Sequence, residues 1–418
     1  MTSSPSVDRP LLHRRVLNNG LVVIVLENPV ADIVSARLLV KAGTGYEARS
    51  QAGLFGLMSS LLTKGTRHWS SLEIAEQVES IGASLGSDAS ADYSLVSLKT
   101  VSADFPPMLA LAAEIIRYPS FAEAELNLEQ RLTLQSIRSM QEQPFTVAYN
   151  ALRAAMYGEH PYGLPGIGTE ESVAQLTRDD LVNAHQKYFR PDNCILVMAG
   201  RITAEAAIAQ AEKNFGDWAV PAYPLPPLDY PTVSTAATHA AIAQATNQSV
   251  VIVGYPTPSV KDAAYAPLKL ISTYLGNGLS SRLFVELREK RGLAYDVSAF
   301  YPTRLGLSQF VGHMGTAPDN QTIALEGLRF EIERLAAVGL TSEELQASKN
   351  KLLGQYALGK QTNAQLGQLL GWYEVLGLGV EFDGIFQDMV RAVSEDMVQT
   401  VAQQYLKEPF TVVLGPHS

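Results

Sequence analysis

The sequence predicts an α+β protein made of two similar halves, and three observations lead there. Strand-like and helix-like segments alternate along all 418 residues, a chain too long for one ordinary core. A stretch carrying five prolines, Trp218–Pro231 (Pro221, Pro224, Pro226, Pro227 and Pro231), interrupts the alternation near the middle. Proline removes a backbone donor and favours extended conformations, so this stretch reads as a semi-rigid linker. Beyond it the same kinds of element recur in the same order, which is the signature of a duplicated unit. The expected division is 1–218, a linker over 219–232, and 233–418.

The first half opens with strand candidates Gly20–Glu27 and Ile33–Lys41, with strand-like sequence already beginning near Leu11. Helical stretches follow at Ala52–Leu62 and Leu72–Ile81, where Ser70 and Glu73 form a capping-box pattern. Ser84–Val101 alternates as a hairpin would. The patterns Phe105–Arg117, Glu123–Glu142, Phe145–Met156 and Asp179–Tyr188 are helical, Cys194–Ala199 is a strand of the buried type, and Ala204–Phe215 is a closing helix. In the second half Ser249–Tyr255 is a strand, Ala263–Leu275 and Ser281–Lys290 are helices, and Ala294–Tyr301 pairs with Leu307–His313 as a hairpin. Helices Thr322–Ala337, Glu343–Leu358 (capping box Thr341/Glu344), Ala364–Leu376 and Ser394–Tyr405 precede a last strand, Phe410–Leu414.

Composition narrows the class. At 46% hydrophobic and 18% charged the chain reads as an ordinary globular protein. Its longest apolar runs, such as Leu21–Leu26 and Val250–Val253, are strand-sized, so no membrane span is expected. Met1–Pro10 is polar and has no signal-peptide core. Cys194 is the single cysteine and sits in an apolar run, so it reads as a buried structural thiol, and a reducing, cytoplasmic setting is expected. The formal charge of −10 argues against nucleic-acid binding and is compatible with basic peptides.

Two catalytic patterns fail on context. Gly82-Ala83-Ser84-Leu85-Gly86 fits G-x-S-x-G, but a nucleophile elbow must follow a strand and open a helix, and this one follows a helix and opens a hairpin. Gly43–Ala48 fits G-x-G-x-x-A, but the window where a ribose-binding acid belongs, Lys64–Trp69, has none, so a tight turn is the reading. The seven histidines (His13, His68, His160, His185, His239, His313, His417) include no pair spaced three or four apart, so no helix face can present two of them to a metal.

The segment Gly53–Thr66, GLFGLMSSLLTKGT, resembles the zinc helix of the inverted-motif metallopeptidases, the pitrilysin and mitochondrial-processing-peptidase family, whose usual form is near G-L-A-H-F-L-E-H-M-L-F-K-G-T. The frame persists without its chemistry. Gly56 stands where the first His belongs, Ser59 where the Glu belongs and Ser60 where the second His belongs. The family's third ligand falls near Gln135 or Ser136, and neither is a carboxylate. Zinc needs imidazole, thiolate or carboxylate donors, and the attacking water needs a base, so this chain is expected to bind no metal of its own.

A second segment, Ser280–Tyr295, resembles the family's other signature, an L-R-x-K-x-x-x-x-Y run, and by that match Arg288 and Tyr295 correspond to residues that reach across to the zinc site. A guanidinium and a phenol there would stabilise the charge that develops on a peptide carbonyl under attack. His160-Pro161-Tyr162-Gly163, and Thr177–Asn193, also resemble family segments and need only turn and packing roles. The resemblance implies two α/β-roll halves forming a clam-like half of a peptidase chamber. It further implies a metal-free subunit whose zinc-binding homologous partner carries H-x-x-E-H, with peptide or unfolded polypeptide as substrate; isolated chains could pair as homodimers. Only Leu275–Leu279 precedes the Ser281-Arg282-Leu283 segment, where the mitochondrial receptor subunit has a long glycine-rich loop, which points to a compact bacterial-type subunit. The alternative is a catalytically inactive structural or peptide-binding homologue, comparable to respiratory core proteins.

Overall fold

The computed structural model describes residues 11–233 and 236–416; the polar stretch 1–10 and His417 lie outside the described residues. The first half forms a six-stranded sheet from β1 (Leu11–Val16), β2 (Val22–Glu27), β3 (Ile33–Val40), β4 (Ser84–Ala89), β5 (Ser94–Val101) and β6 (Cys194–Gly200), in the order β1-β2-β6-β3-β5-β4. The second forms a five-stranded sheet from β7 (His239–Ala243), β8 (Ser249–Thr257), β9 (Asp296–Phe300), β10 (Ser308–Thr316) and β11 (Phe410–Gly415), in the order β7-β11-β8-β10-β9. Once β1 is set aside the two sheets match strand for strand. The parallel pair β2/β6 corresponds to β7/β11, and the antiparallel neighbours β3, β5 and β4 correspond to β8, β10 and β9. The duplication inferred from element order is therefore present in topology and strand direction.

On one face each sheet is covered by its own half's helices. Phe55 and Leu61 (helix Leu54–Leu62), Leu109 and Ile116 (Phe105–Arg117), Leu181 (Arg178–Tyr188) and Phe215 (Ala204–Phe215) join Leu38, Val96 and Met198 in the first core. Leu268 and Ile271 (Tyr265–Gly276), Leu328 (Gln321–Glu333) and Val398 (Glu395–Tyr405) join Val253 and Phe310 in the second.

The opposite faces are covered by exchange. Ala148, Leu152 and Met156 of the first-half helix Pro144–Tyr157 pack on Val250, Ile252, Val412 and Leu414 of the second sheet. Leu370 and Val375 of the second-half helix Asn363–Val375 pack on Ile24, Leu39 and Val197 of the first. Glycine permits both approaches. A Cβ on Gly371 would lie 2.4 Å from Leu39 Cδ1, and one on Gly254 would lie 2.6 Å from Met156 Sδ. Each buried aliphatic side chain contributes roughly 1.5–3 kcal/mol, so neither sheet is fully protected without the other half's helix.

Both expected capping boxes form, at Ser70/Glu73 and Thr341/Glu344. Five elements depart from the sequence reading, one of them the short helix Glu170–Gln175, which it did not contain. The helix expected over Ser281–Lys290 is a π-helix over Phe284–Lys290, the helix expected over Thr322–Ala337 divides into Gln321–Glu333 and Leu335–Val338, and β7 and the helix Phe382–Ala392 were not expected at all. β7 reads HAAIA, whose alanines carry almost no strand preference of their own; its pairing with β11 imposes the conformation.

Candidate functional site

Helix Leu54–Leu62 starts from Gly53 in the left-handed region (φ 92), and its first turn is capped by a side chain from upstream. Glu47 Oε2 accepts from Gly53 N at 2.9 Å and Oε1 from Phe55 N at 2.7 Å. Glu47 is buried, and desolvation pushes its carboxyl up to about 8 against the pull of those two donors. Leu54, Phe55, Leu57, Met58, Leu61 and Leu62 face the core, which explains why the helical frame persists.

The positions that would hold a metal do not fit one. Gly56 offers no side chain, and a Cβ there would meet Gly166 O at 3.3 Å. Ser60 turns its Oγ back to Gly56 O at 3.2 Å. Ser59 is 2% exposed, and among the described residues its Oγ has no hydrogen-bond partner. On the long helix Glu123–Gln141, Ser136 Oγ bonds to Leu132 O at 3.0 Å and Gln135 is exposed. Among the described residues no three His, Cys, Asp or Glu side chains gather where a metal ion could sit. Hydroxyls that are buried or already bonded to their own helix are poor zinc donors, so no catalytic step can be derived through zinc on this chain.

Arg288 and Tyr295 share one helix–turn–strand unit of the second half. Arg282 Nε bonds to the buried Glu331 at 2.8 Å, and Arg282 Nη1 lies 3.3 Å from Glu286, which also takes Lys290 at 2.9 Å. Leu287 is buried, Leu293 N donates to Leu287 O at 2.9 Å, and Thr316 Oγ1 donates to Leu293 O at 2.7 Å. Gly292 turns the chain at φ 60, and Tyr295 N then donates to Gly315 O at 2.9 Å. Wide π turns are rare and recur at functional sites. Here one carries Arg288 in its last turn, whose guanidinium rests 4.9 Å from the Phe284 ring and makes no ion pair among the described residues. Tyr295 is 59% exposed, and its hydroxyl likewise bonds to no described residue.

The remaining candidates are structural. Cys194 is buried and desolvation pushes its thiol up, away from thiolate chemistry. Ser84 opens β4 behind helix Ser71–Glu79, and Thr44–Tyr46 is a single 3₁₀ turn, as expected of a turn. His160 Nδ1 accepts from Tyr162 N at 3.0 Å, as the turn reading requires.

One cluster was not expected. The Tyr162 hydroxyl donates to the buried Asp92 carboxylate and accepts from Tyr230 at 3.2 Å, while Leu305 N donates to Asp92 at 3.4 Å. Arg304 lies 5.1 Å from the Tyr162 ring, and His160 lies 4.3 Å from Tyr230. Burial pushes the Asp92 carboxyl and the Tyr162 phenol up. This network ties both halves to the linker. Its members come from four separated segments, so no local pattern announces it.

The fold and the altered helix together define a peptidase relative. A model of the insulinase family, peptidase family M16, matches residues 22–170, and a model of the peptidase M16 inactive domain matches residues 175–352. Between them they span most of the chain, which belongs to the M16 peptidase family. It is similar to an uncharacterized zinc protease of Rickettsia bellii, with 24% identity, covering 96% of this chain and 97% of that one. It is also similar to the uncharacterized zinc protease YmxG of Bacillus subtilis, with 26% identity over 97% and 98%. A solved M16 inactive domain from Pseudomonas fluorescens superposes with a TM-score of 0.90 at 23% identity, covering 97% of this chain and 98% of that one. A protease from Helicobacter pylori gives 0.92 at 22% identity, covering 98% and 100%. No helix among the described residues is long and apolar enough to cross a membrane.

Proposed function

We propose that this chain is the metal-free subunit of a cytoplasmic, heteromeric zinc peptidase. A homologous partner with an intact H-x-x-E-H helix binds zinc and supplies the base. This chain closes the substrate chamber and contributes Arg288 and Tyr295 to the tetrahedral intermediate of peptide hydrolysis. The observation that carries the reading is the state of those two side chains: the unit around them is fixed by ion pairs and hydrogen bonds, while their own donor groups are exposed and unused within the chain. A fold has no need of such a pair, whereas an oxyanion developing on a partner-bound peptide does.

Co-expression with the partner and turnover of a fluorogenic peptide test it. The chain alone should cleave nothing and hold well under one zinc per chain by elemental analysis. The mixed complex should be active, and Tyr295→Phe should lower its turnover by about tenfold to a thousandfold, the scale of one oxyanion donor. Neither residue is a ligand, so the partner's zinc content should stay constant. A Tyr295→Phe complex that assembles and cleaves at the unmutated rate would leave the chain as a structural or peptide-binding homologue.

A further inference from the structure

We propose that the first half carries a pocket for a phosphate monoester, separate from the Arg288/Tyr295 unit, where the ends of helices Phe105–Arg117 and Arg178–Tyr188 meet the loop after helix Leu54–Leu62. The pocket encloses about 300 Å³, and Arg67, Arg117 and Arg178 line it with no carboxylate in its wall. This convergence stands in a chain of formal charge −10. Like charges brought together without neutralisation cost stability, and an anion offsets that cost.

The three arginines are held in different ways. Arg117 is 9% exposed; its Nη1 donates to Asn214 O and Asp217, each at 2.8 Å, while its buried Nε finds no partner among the described residues. Arg178 donates from Nε to Phe121 O at 3.0 Å and from Nη2 to Ser120 O at 3.1 Å, which leaves Nη1 for a ligand. Arg67 is exposed, lies 4.4 Å from the Tyr118 ring and makes no ion pair among the described residues. All three are tied to the segment Arg117–Phe121, itself fixed by Arg67 N to Tyr118 O at 3.0 Å and Ser120 N to Gly65 O at 3.0 Å. The site is therefore preformed.

Charge and shape select the ligand. Among the described residues Asp217 is the one carboxylate in an ion pair with any of these arginines, while Glu114 pairs with His68 at 2.8 Å. His185, buried and pushed down to about 4 by desolvation, adds no charge at neutral pH. The three arginines outnumber the carboxylate paired with them, which favours an anion, and guanidinium forks suit phosphate oxygens. Tyr118, Pro119, Phe121 and Val182 supply apolar wall for a small organic body, and the volume is at the small end of ligand sites.

The test is calorimetric titration of the full chain with phenyl phosphate, inorganic phosphate, benzoate and benzyl alcohol at constant ionic strength. Phenyl phosphate should bind at one site per chain and more tightly than the other three, and should raise the Tm. Arg67→Ala, at an exposed position that does not hold the fold, should raise its Kd at least about tenfold, the loss of one charge-assisted contact. Arg178→Ala should do the same. No binding of phenyl phosphate at millimolar concentration, or an unchanged Kd in both variants, would overturn the site. Benzoate or inorganic phosphate binding as tightly as phenyl phosphate would overturn the monoester assignment.

Discussion

Helix Leu54–Leu62 and the unit Arg282–Tyr295 have met opposite fates within one chain. In the helix every core-facing apolar position is kept, and the positions that would carry the chemistry hold glycine and serine. In the second unit the supporting residues Arg282, Leu287 and Leu293 are engaged, while the exposed Arg288 and the Tyr295 hydroxyl make no ion pair or side-chain hydrogen bond among the described residues. Packing constrains a frame whatever the chemistry on it does. Exposed Arg288 and Tyr295 are under no such packing constraint, which is what the proposed role in a partner's site uses.

The largest expected effect contrasts these two regions directly. In the mixed complex Arg288→Ala should reduce turnover by up to about a thousandfold. Ser60→Ala, which removes only a hydroxyl bonded to its own helix, should leave turnover within about twofold. Steady-state cleavage by the two complexes, normalised to zinc, checks this. Equal losses would erase the proposed distinction between the two regions.

The fold was partly legible in the sequence. The motif frames, the capping boxes, the linker and the duplicated order all rest on local pattern, and local pattern is what a sequence displays. The exchange of helices Pro144–Tyr157 and Asn363–Val375 was not legible, because both read only as amphipathic or apolar helices and nothing local says which sheet they cover. The π geometry of Phe284–Lys290 was not legible for a related reason: its composition suits an α-helix, and the contacts that anchor the segment on either side, Arg282 to Glu331, Leu293 to Thr316 and Tyr295 to Gly315, join residues distant in sequence. The Asp92–Tyr162–Tyr230 network and the Arg67/Arg117/Arg178 pocket join residues distant in sequence and carry no spacing signal.

The helix exchange supplies the next effect in size. Leu152→Ala and Leu370→Ala each remove a buried contact across the two halves, and each should cost about 2–5 kcal/mol in chemical denaturation. Because each helix protects the other half's sheet, both variants should unfold in one transition, with fluorescence and circular dichroism midpoints moving together. Separate midpoints for the two halves would show that the exchange does not couple them.

A smaller effect separates the capped helix from the rest of the protein by pH. His160 and His185 are pushed down to about 4 by burial, so below their ordinary value of 6.5 the unfolded chain binds protons that the folded one refuses, and stability rises with pH in that window. Glu47 is pushed up to about 8, so from its ordinary value of 4.5 up to about 8 the folded chain keeps a proton that the unfolded one has released, and stability falls. Burial pushes His313 down and Asp92 up as well, so three histidines rise against two carboxylates and the maximum falls near the histidine value. Between there and about pH 8 Glu47 should lower stability by on the order of 1 kcal/mol per pH unit. Denaturation midpoints across this range check the shape, and Glu47→Gln should flatten the fall above the maximum while leaving the rise below it.

The smallest effect concerns Ser59, the position where the family's catalytic carboxylate belongs. Its hydroxyl is buried on the core side of helix Leu54–Leu62 and has no partner among the described residues. A buried, unsatisfied hydroxyl has lost its water and gained nothing in return, at a cost of roughly 1–3 kcal/mol. Ser59→Ala removes that cost and one polar atom, and alanine also has the better helix propensity. The variant should therefore be more stable by about 0.5–1 kcal/mol, a Tm rise of roughly one or two degrees in a chain of this length. Ser60→Ala, at the exposed neighbouring position, should stay within about 0.5 kcal/mol of the parent. Calorimetry of both variants beside the parent checks the pair. A lowered Tm for Ser59→Ala would mean that the hydroxyl holds a bonded water and that this position has a polar task in the fold.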